Sequence, residues 1–429
     1  MSLRLLKEKP VLGWALYDWA NSAFALTVIA TFYPIFFREF YNAGEDPAAI
    51  TSRLSFGVSG ASLCVALLAP ILGAIADSGG TRKRFLLGFT LLAIASTLGL
   101  YFVGQGEWFV ALGLYASALL GFYAANTFYD SLLVTVTTRD RYEQVSALGF
   151  GIGYFGSALL LAFNTWMVSK PEVFGFADVT AAMRAAFAIV AVWWAVFTVP
   201  LLLFVKEPKT ESPGLMRAAV EGYRTLLQTL RDIGQYRNIA LFLAAYWLYI
   251  DGVHTLILMA TDFGARLEFK STDLIAAILI TNFVGAPATI AFGAMGQKIG
   301  PKRAIFVGVL VYLLIAAWGL MLKEVWQFYA MAIGIGLVQG GVQSMSRAMF
   351  ARLIPDDKAS EFFGFYSTLG KFAAILGPLL IGILSQVSDD PRVAIVALLP
   401  LFIGGLLLLS RVRLQGEADT AAPATANPE

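Results

Sequence analysis

Runs of about twenty consecutive apolar residues dominate this chain, and a helix of that length spans the roughly 30 Å hydrocarbon core of a bilayer. Twelve such runs occur, near residues 11–37, 55–76, 85–103, 108–131, 145–168, 184–205, 239–261, 272–294, 304–322, 325–349, 361–387 and 392–411. They are continuous rather than alternating, and far longer than a spanning strand, which argues against a membrane barrel. Composition agrees. Of 429 residues, 58% are hydrophobic and 14% charged, and the mean hydropathy is +0.71. A soluble chain carries about 25% charged residues, so this one cannot cover a water-facing surface. Its single cysteine, Cys64, excludes an intramolecular disulfide, and a net charge of +2 argues against a nucleic-acid partner. The chain is predicted to be an all-α membrane protein with twelve transmembrane helices.

The first span follows Arg4, Lys7 and Lys9, as the apolar part of a signal peptide would. It is too long for one, and Asp18 interrupts it, so it reads as a retained membrane helix. Of the 31 Lys and Arg residues, 21 fall in segments on the N-terminal side of the membrane and 8 on the other, while Arg347 and Lys371 lie within spans. The positive-inside rule then places both termini in the cytoplasm.

One long polar segment divides the spans six and six. Residues 1–205 are predicted to form an N-terminal six-helix bundle, 206–238 a cytoplasmic linker, 239–411 a C-terminal bundle and 412–429 a disordered cytoplasmic tail. In the linker, Leu215, Val220, Tyr223, Leu226, Leu227 and Leu230 share one side of a helix, with Arg217, Arg224 and Arg231 opposite. That pattern predicts an amphipathic helix on the membrane surface.

The halves repeat each other. Gly73-Ala-Ile-Ala-Asp77-Ser-Gly-Gly80-Thr-Arg82-Lys83-Arg84 follows the second span, and Gly293-Ala-Met-Gly-Gln297-Lys-Ile-Gly300-Pro-Lys302-Arg303 follows the eighth. In the first and seventh spans, Trp14, Asp18 and Asn21 correspond to Trp247, Asp251 and His254. Parallel six-helix repeats are a transporter plan with the substrate site between them.

The Gly73–Arg84 stretch resembles the cytoplasmic signature of the major facilitator superfamily. More narrowly, Trp14-Ala-Leu-Tyr-Asp-Trp-Ala-Asn-Ser22 and Glu361-Phe-Phe-Gly-Phe-Tyr-Ser, followed by Gly370-Lys371, resemble the autophagy-related vacuolar effluxer family and its bacterial relatives. The resemblance implies the major facilitator fold of two six-helix pseudo-repeats, and export or exchange of a solute. It also implies that Asp77 meets a neighbouring helix N-terminus when the cytoplasmic end is closed, with Arg82 in the same gate. The sequence departs from better-known branches of the superfamily: the fourth span has no arginine in its apolar part, the fifth is Gly-rich but lacks the Gly-Pro signature of drug antiporters, and Gln297 stands in the second copy where the signature has aspartate.

Gly151-Ile-Gly153-Tyr-Phe-Gly156 matches a dinucleotide fingerprint in letters only. It lies inside an apolar span with no preceding strand, so its glycines, with Gly149, read as helix-packing positions. No nucleophile–base constellation, metal-ligand cluster or ATP-binding loop occurs, so neither catalytic residues nor a cofactor are expected, and the chain is not read as an enzyme.

Charges within spans are expensive, about 2.5–3.5 kcal/mol on insertion scales, and mark pairing or function. Asp18 and Asn21 share a face of the first span, and Asp251 and His254 repeat that spacing in the seventh. Lys371 sits at similar depth in the eleventh. These five are the candidates for substrate binding or proton coupling, with Lys371 able to hold a carboxylate or neutralise Asp251. Asp130 and Arg347, near the cytoplasmic ends of the fourth and tenth spans, are candidates for a latch between halves. Together these features predict a secondary transporter of a small polar or zwitterionic organic solute, best matched by amino-acid efflux or exchange, with a proton as the possible coupling ion. The expected place is a bacterial plasma (inner) membrane. Two alternatives share the fold: a lipid or amphiphile transporter, and a non-transporting membrane sensor or scaffold.

Overall fold

The computed structural model describes residues 2–207, 215–231, 236–266, 271–372, 380 and 398–413. Asp46 begins the second long helix by accepting the Ala49 N–H at 3.1 Å, and Asp178 does the same for Ala181 at 2.7 Å in the sixth. Such caps satisfy donors that a helix start leaves free. In chain order the helices are α1 (Lys9–Tyr41), α2 (Pro47–Gly79), α3 (Arg82–Gly99), α4 (Trp108–Ser131), α5 (Tyr142–Ser169) and α6 (Val179–Phe204). After the linker helix α7 (Leu215–Arg231) come α8 (Arg237–Arg266), α9 (Ser271–Ile299), α10 (Pro301–Gly319), α11 (Val325–Leu353), α12 (Ala359–Phe372) and α13 (Leu399–Arg411).

Among the described residues, ten helices, all but α7, α12 and α13, are long and apolar enough to cross a bilayer. The eleventh and twelfth predicted spans are described only in part, as α12 and α13, and residues 414–429 of the predicted tail lie outside the described residues. Large apolar side chains point outward along the helices, among them Phe56, Leu67, Val196, Leu203 and Leu314. In water that surface would drive aggregation; in a bilayer it is the solvated surface.

The basic residues that close each signature loop have a local task. Lys83 Nζ donates to the carbonyls of Leu202 at 2.9 Å and Val205 at 2.5 Å, at the end of α6. Lys302 Nζ donates to Ser410 and Val412 at 3.0 and 2.7 Å, at the end of α13. Each lysine ties the loop after its half's second membrane helix to the C-terminal carbonyls of that half's last one, where a cation is favoured.

α1 is not a uniform α-helix. Phe24–Phe32 and Phe37–Tyr41 are π-helical, and Thr31 Oγ donates to the Leu26 carbonyl five residues back at 2.8 Å. The wider turn changes the phase of the helix, so the face carrying Asp18 and the face carrying Tyr33 do not follow from one 3.6-residue count.

Helices α2 with α12 and α5 with α9 pack across the two halves. The glycines of α5 make two close approaches. A Cβ on Gly149 would lie 2.8 Å from Asp18 Oδ2, and one on Gly153 would lie 2.7 Å from Ser22 Oγ, both on α1. Gly151 instead faces Ile290 on α9. The dinucleotide-like string is thus divided between two helix contacts. Replacing Gly153 by Leu should force α1 off α5 and lower stability by about 1–3 kcal/mol, the usual cost of overpacking. Thermal unfolding of the purified protein in detergent measures it, and an unchanged melting temperature would show that α1 does not depend on this approach.

Candidate functional site

Arg347, six residues before the end of α11, is buried, with 2% of its side chain exposed. An unpaired guanidinium there would be prohibitive, so its partners define the site. Nη1 lies 2.9 Å from Asp130 Oδ1 on α4, and Nη2 lies 3.5 Å from Asp18 Oδ2 on α1. Nε donates to Ser146 Oγ and Nη2 to the Ser146 carbonyl, each at 2.9 Å, on α5. The guanidinium also stands 4.6 Å from the Trp14 ring centre and 4.3 Å from that of Phe150. Tyr129 donates its hydroxyl to Asp18 Oδ2 at 2.9 Å, and Trp14 stacks on Tyr129 at 4.6 Å. One cation from the second half is therefore held by three helices of the first.

The structure places Asp130 and Arg347 in direct contact, and adds Asp18 to them. The sequence reading makes Asp18 a binding or coupling candidate and leaves it out of the latch; in the structure Arg347 lies 3.5 Å from it. Asn21, one turn on, donates to Asn126 Oδ1 of α4 at 2.6 Å. Asp251 is fully buried in α8 and accepts from Thr255 Oγ at 3.1 Å. His254 is half-buried on the same helix. Lys371 is a residue of α12 whose side chain lies outside the described residues, so its meeting with Asp251 and His254 stays a proposal.

Residues not singled out in the sequence complete the picture. Gln339, Gln343 and Arg347 recur every four residues along α11, a polar stripe in an apolar helix. Tyr154 of α5 donates to Gln343 Oε1 at 2.6 Å across the halves. The i, i+4, i+8 spacing was the available signal. Asn126 and Asp130 form a matching i, i+4 pair on α4.

A second layer closes the end of the bundle that bears the signature loops. Asp77 accepts the N–H groups of Ser360 at 3.2 Å and Glu361 at 2.9 Å, in the first turn of α12, and pairs with Arg82 at 2.8 Å. Arg82 reaches on to the Asp356 carbonyl at 3.1 Å, and Arg139 pairs with Asp356 at 2.8 Å. On the opposite flank Glu143 holds Arg352 through two contacts of 2.6 and 2.9 Å, and Gln144 hydrogen-bonds Gln297. A Cβ on Gly73 would lie 2.3 Å from the Ser360 carbonyl, and one on Gly293 would lie 2.5 Å from the Ala147 side chain and 3.2 Å from the Glu143 carbonyl. Both signature glycines thus admit the partner half's helix start. A single apolar cluster crosses both halves here, whereas a separate one fills the far end of the first half.

The family model described as vacuole effluxer Atg22 like matches residues 43–141 and 134–422. The chain belongs to this Atg22-like family. It is 35% identical over 419 residues to an uncharacterized MFS-type transporter, YxiO, of Bacillus subtilis (strain 168), covering 95% of this chain and 96% of that one. It is also 28% identical over 312 residues to autophagy-related protein 22 of Yarrowia lipolytica (strain CLIB 122 / E 150), covering 64% of this chain and 52% of the fungal one. Solved structures with the same fold include the proton:xylose symporter XylE, with a TM-score of 0.71 at 13% identity covering 95% of this chain and 96% of that one. The human organic anion transporter MFSD10 superposes with a TM-score of 0.67 at 15% identity, over 95% of this chain and 99% of that one. The Atg22-like chain therefore has the major facilitator fold and is an integral membrane secondary transporter, not an enzyme.

Four outcomes follow from these contacts. Arg347→Ala should cost the Atg22-like protein about 3–5 kcal/mol, because two carboxylates lose their shared cation. Asp130→Ala should cost less, since Asp18 and Ser146 still hold Arg347. Exchanging the charges at 130 and 347 should recover part of the loss, and strictly additive melting-temperature changes would show that the pair is not coupled. Asp77→Asn should keep the fold but raise the accessibility of cysteines placed at the closed end several-fold; unchanged labelling would remove Asp77 from the closure.

Proposed function

We propose that this chain moves a small polar or zwitterionic organic solute, of amino-acid type, by alternating access between its two halves. The observation that carries the reading is the polar stripe of α11, Gln339 and Gln343 above Arg347, with Gln343 bonded to Tyr154 of the first half, together with the Asn21–Asn126 pair of α1 and α4. Amides and carboxylates donate and accept, so they suit a solute rich in hydrogen bonds more than an alkyl chain. The effluxer description of the family supports export or exchange as the direction.

Orientation follows from the distribution of Lys and Arg. With both termini in the cytoplasm of a bacterial inner membrane, the end closed by Asp77, Arg82 and Arg139 is cytoplasmic, and the conformation faces outward. Rocking the halves must break the Asp77 contacts with α12 and rearrange the carboxylates around Arg347. Asp251, His254 and Lys371 are proposed as the second-half part of the solute site. There a substrate carboxylate competes with Asp251 for Lys371 and leaves Asp251 free to take up a proton.

The test is an uptake and exchange screen of metabolites in proteoliposomes, with pH varied independently on each side. An amino acid or similar zwitterion should be carried, and Gln343→Ala should reduce its flux about tenfold, the scale of one lost hydrogen bond to a buried partner. With that solute, Asp251→Asn should keep binding but lose dependence on the pH step, whereas Lys371→Ala should lose binding. Flux indifferent to pH on both sides would overturn proton coupling, and unimpaired binding in Lys371→Ala would overturn its carboxylate role.

A further inference from the structure

The linker helix α7 has three faces rather than the two its sequence pattern implies. At 100° per residue, Gly222, Thr225, Leu226 and Thr229 point one way, and they are buried or half-buried against the bundle. Leu226, placed by the sequence on the membrane side, belongs to this seat, with 6% exposed. A Cβ on Gly222 would lie 2.7 Å from the Ile75 nitrogen of α2, and Lys358, just before α12, donates to Thr229 Oγ at 3.1 Å. Thr225 and Gln228 also wall a cavity of about 370 Å³ together with Asp77 of α2 and Glu361 of α12. The linker helix thus touches both helices that Asp77 joins.

Two faces remain outside. Val220, Tyr223 and Leu227 form an apolar strip with 47%, 54% and 36% exposed. Beside it Arg217, Arg224 and Arg231 repeat every seven residues, all exposed, with Glu221 as the acidic residue on that side. An apolar strip flanked by a row of arginines is complementary to a leaflet that offers acyl chains at one depth and phosphates just above it. The helix is also held at the rim of the membrane bundle, because it follows α6 and packs on the end of α2.

We propose that α7 reads anionic phospholipid in the adjoining leaflet and transmits it to the closed end. The apolar strip enters the headgroup boundary, and the three guanidinium groups bind lipid phosphates, for which their planar donors are suited. A helix pinned in this way presses Gly222 on α2 and keeps Thr229 beside Lys358. It therefore favours the conformation in which Asp77 caps α12. Since that seat is dismantled when the halves part, lipid that binds the seated helix shifts the population toward closure. The inference is independent of which solute is carried.

The experiment uses the full chain in nanodiscs, with Cys64→Ser and a spin label at Tyr223→Cys. Discs of phosphatidylcholine are compared with discs containing about 30% phosphatidylglycerol, a fraction at which each arginine near the surface contributes roughly fivefold to association. Phosphatidylglycerol should raise the lipid-immersed fraction of the label, and 0.5 M salt should reverse the gain, as screening shortens the field to roughly 4–5 Å. Replacing Arg217, Arg224 and Arg231 together by Gln should abolish the response, and Arg224→Gln alone should reduce it by part. In a second preparation, labels at Thr138→Cys and Asp357→Cys report the width of the closed end, which phosphatidylglycerol should narrow in the wild type and not in the triple variant. Label immersion equal in both discs would overturn lipid recognition. Immersion that responds while the 138–357 distance does not would overturn transmission to the gate. A full response retained by the triple variant would overturn the role of the arginines.

Discussion

A guanidinium shared between the halves of a membrane bundle fixes most of what surrounds it. Arg347 has to be neutralised within a low-dielectric interior, and neutralising it recruits Asp18, Asp130, Ser146 and a cage of Trp14, Tyr129 and Phe150. Those partners come from α1, α4 and α5, so the position of α11 against the first half follows. Removing a partner costs more than the pair's net worth, because the charge left behind stays buried. The arrangement is therefore stable in one geometry and resists gradual deformation, as a component of a two-state machine should.

Closure at the signature end is built differently. There the chain uses a carboxylate against a helix start, glycines that let backbones touch, and exposed ion pairs such as Arg139 with Asp356. Exposed pairs contribute little, about 0–1 kcal/mol each. Many weak contacts along a line can be undone in sequence, which suits an end that must open. The strong contact lies deeper, and the weak ones ring it.

Much of this was legible in the sequence. Span count, the six-and-six division and the family were carried by hydropathy and by the signature after the second span. Asp130 and Arg347 stood out as charges in apolar runs, and they do meet. What was not legible is which carboxylate faces which cation. Spacing groups Asp18 with Asn21 as a solute-side pair and does not show that it also faces Arg347, because helix rotation and tilt decide partners, and neither is written in spacing alone. Gln339 and Gln343 were passed over because an uncharged amide costs little hydropathy. Leu226 looked like part of a lipid face because apolar periodicity does not distinguish a protein surface from a lipid one.

The duplicated signature loops meet equivalent helix starts, but with different chemistry. On one flank Asp77 binds α12 with a carboxylate and a neighbouring Arg82; on the other, Gln297 meets Gln144 through neutral amides, about one turn from the glycine contact of Gly293 with α5. A neutral amide pair is nearly blind to ionic strength, and the buried Asp77–Arg82 pair is screened far less than an exposed one. The ancestral symmetry of the two copies has thus been broken in polarity while kept in shape. Each edge of the seam keeps an ion pair with a solvent-reaching arginine, Arg139 with Asp356 on the first and Arg352 with Glu143 on the second, so salt in the medium loosens both rims while the buried Asp77 contacts and the amide pair hold.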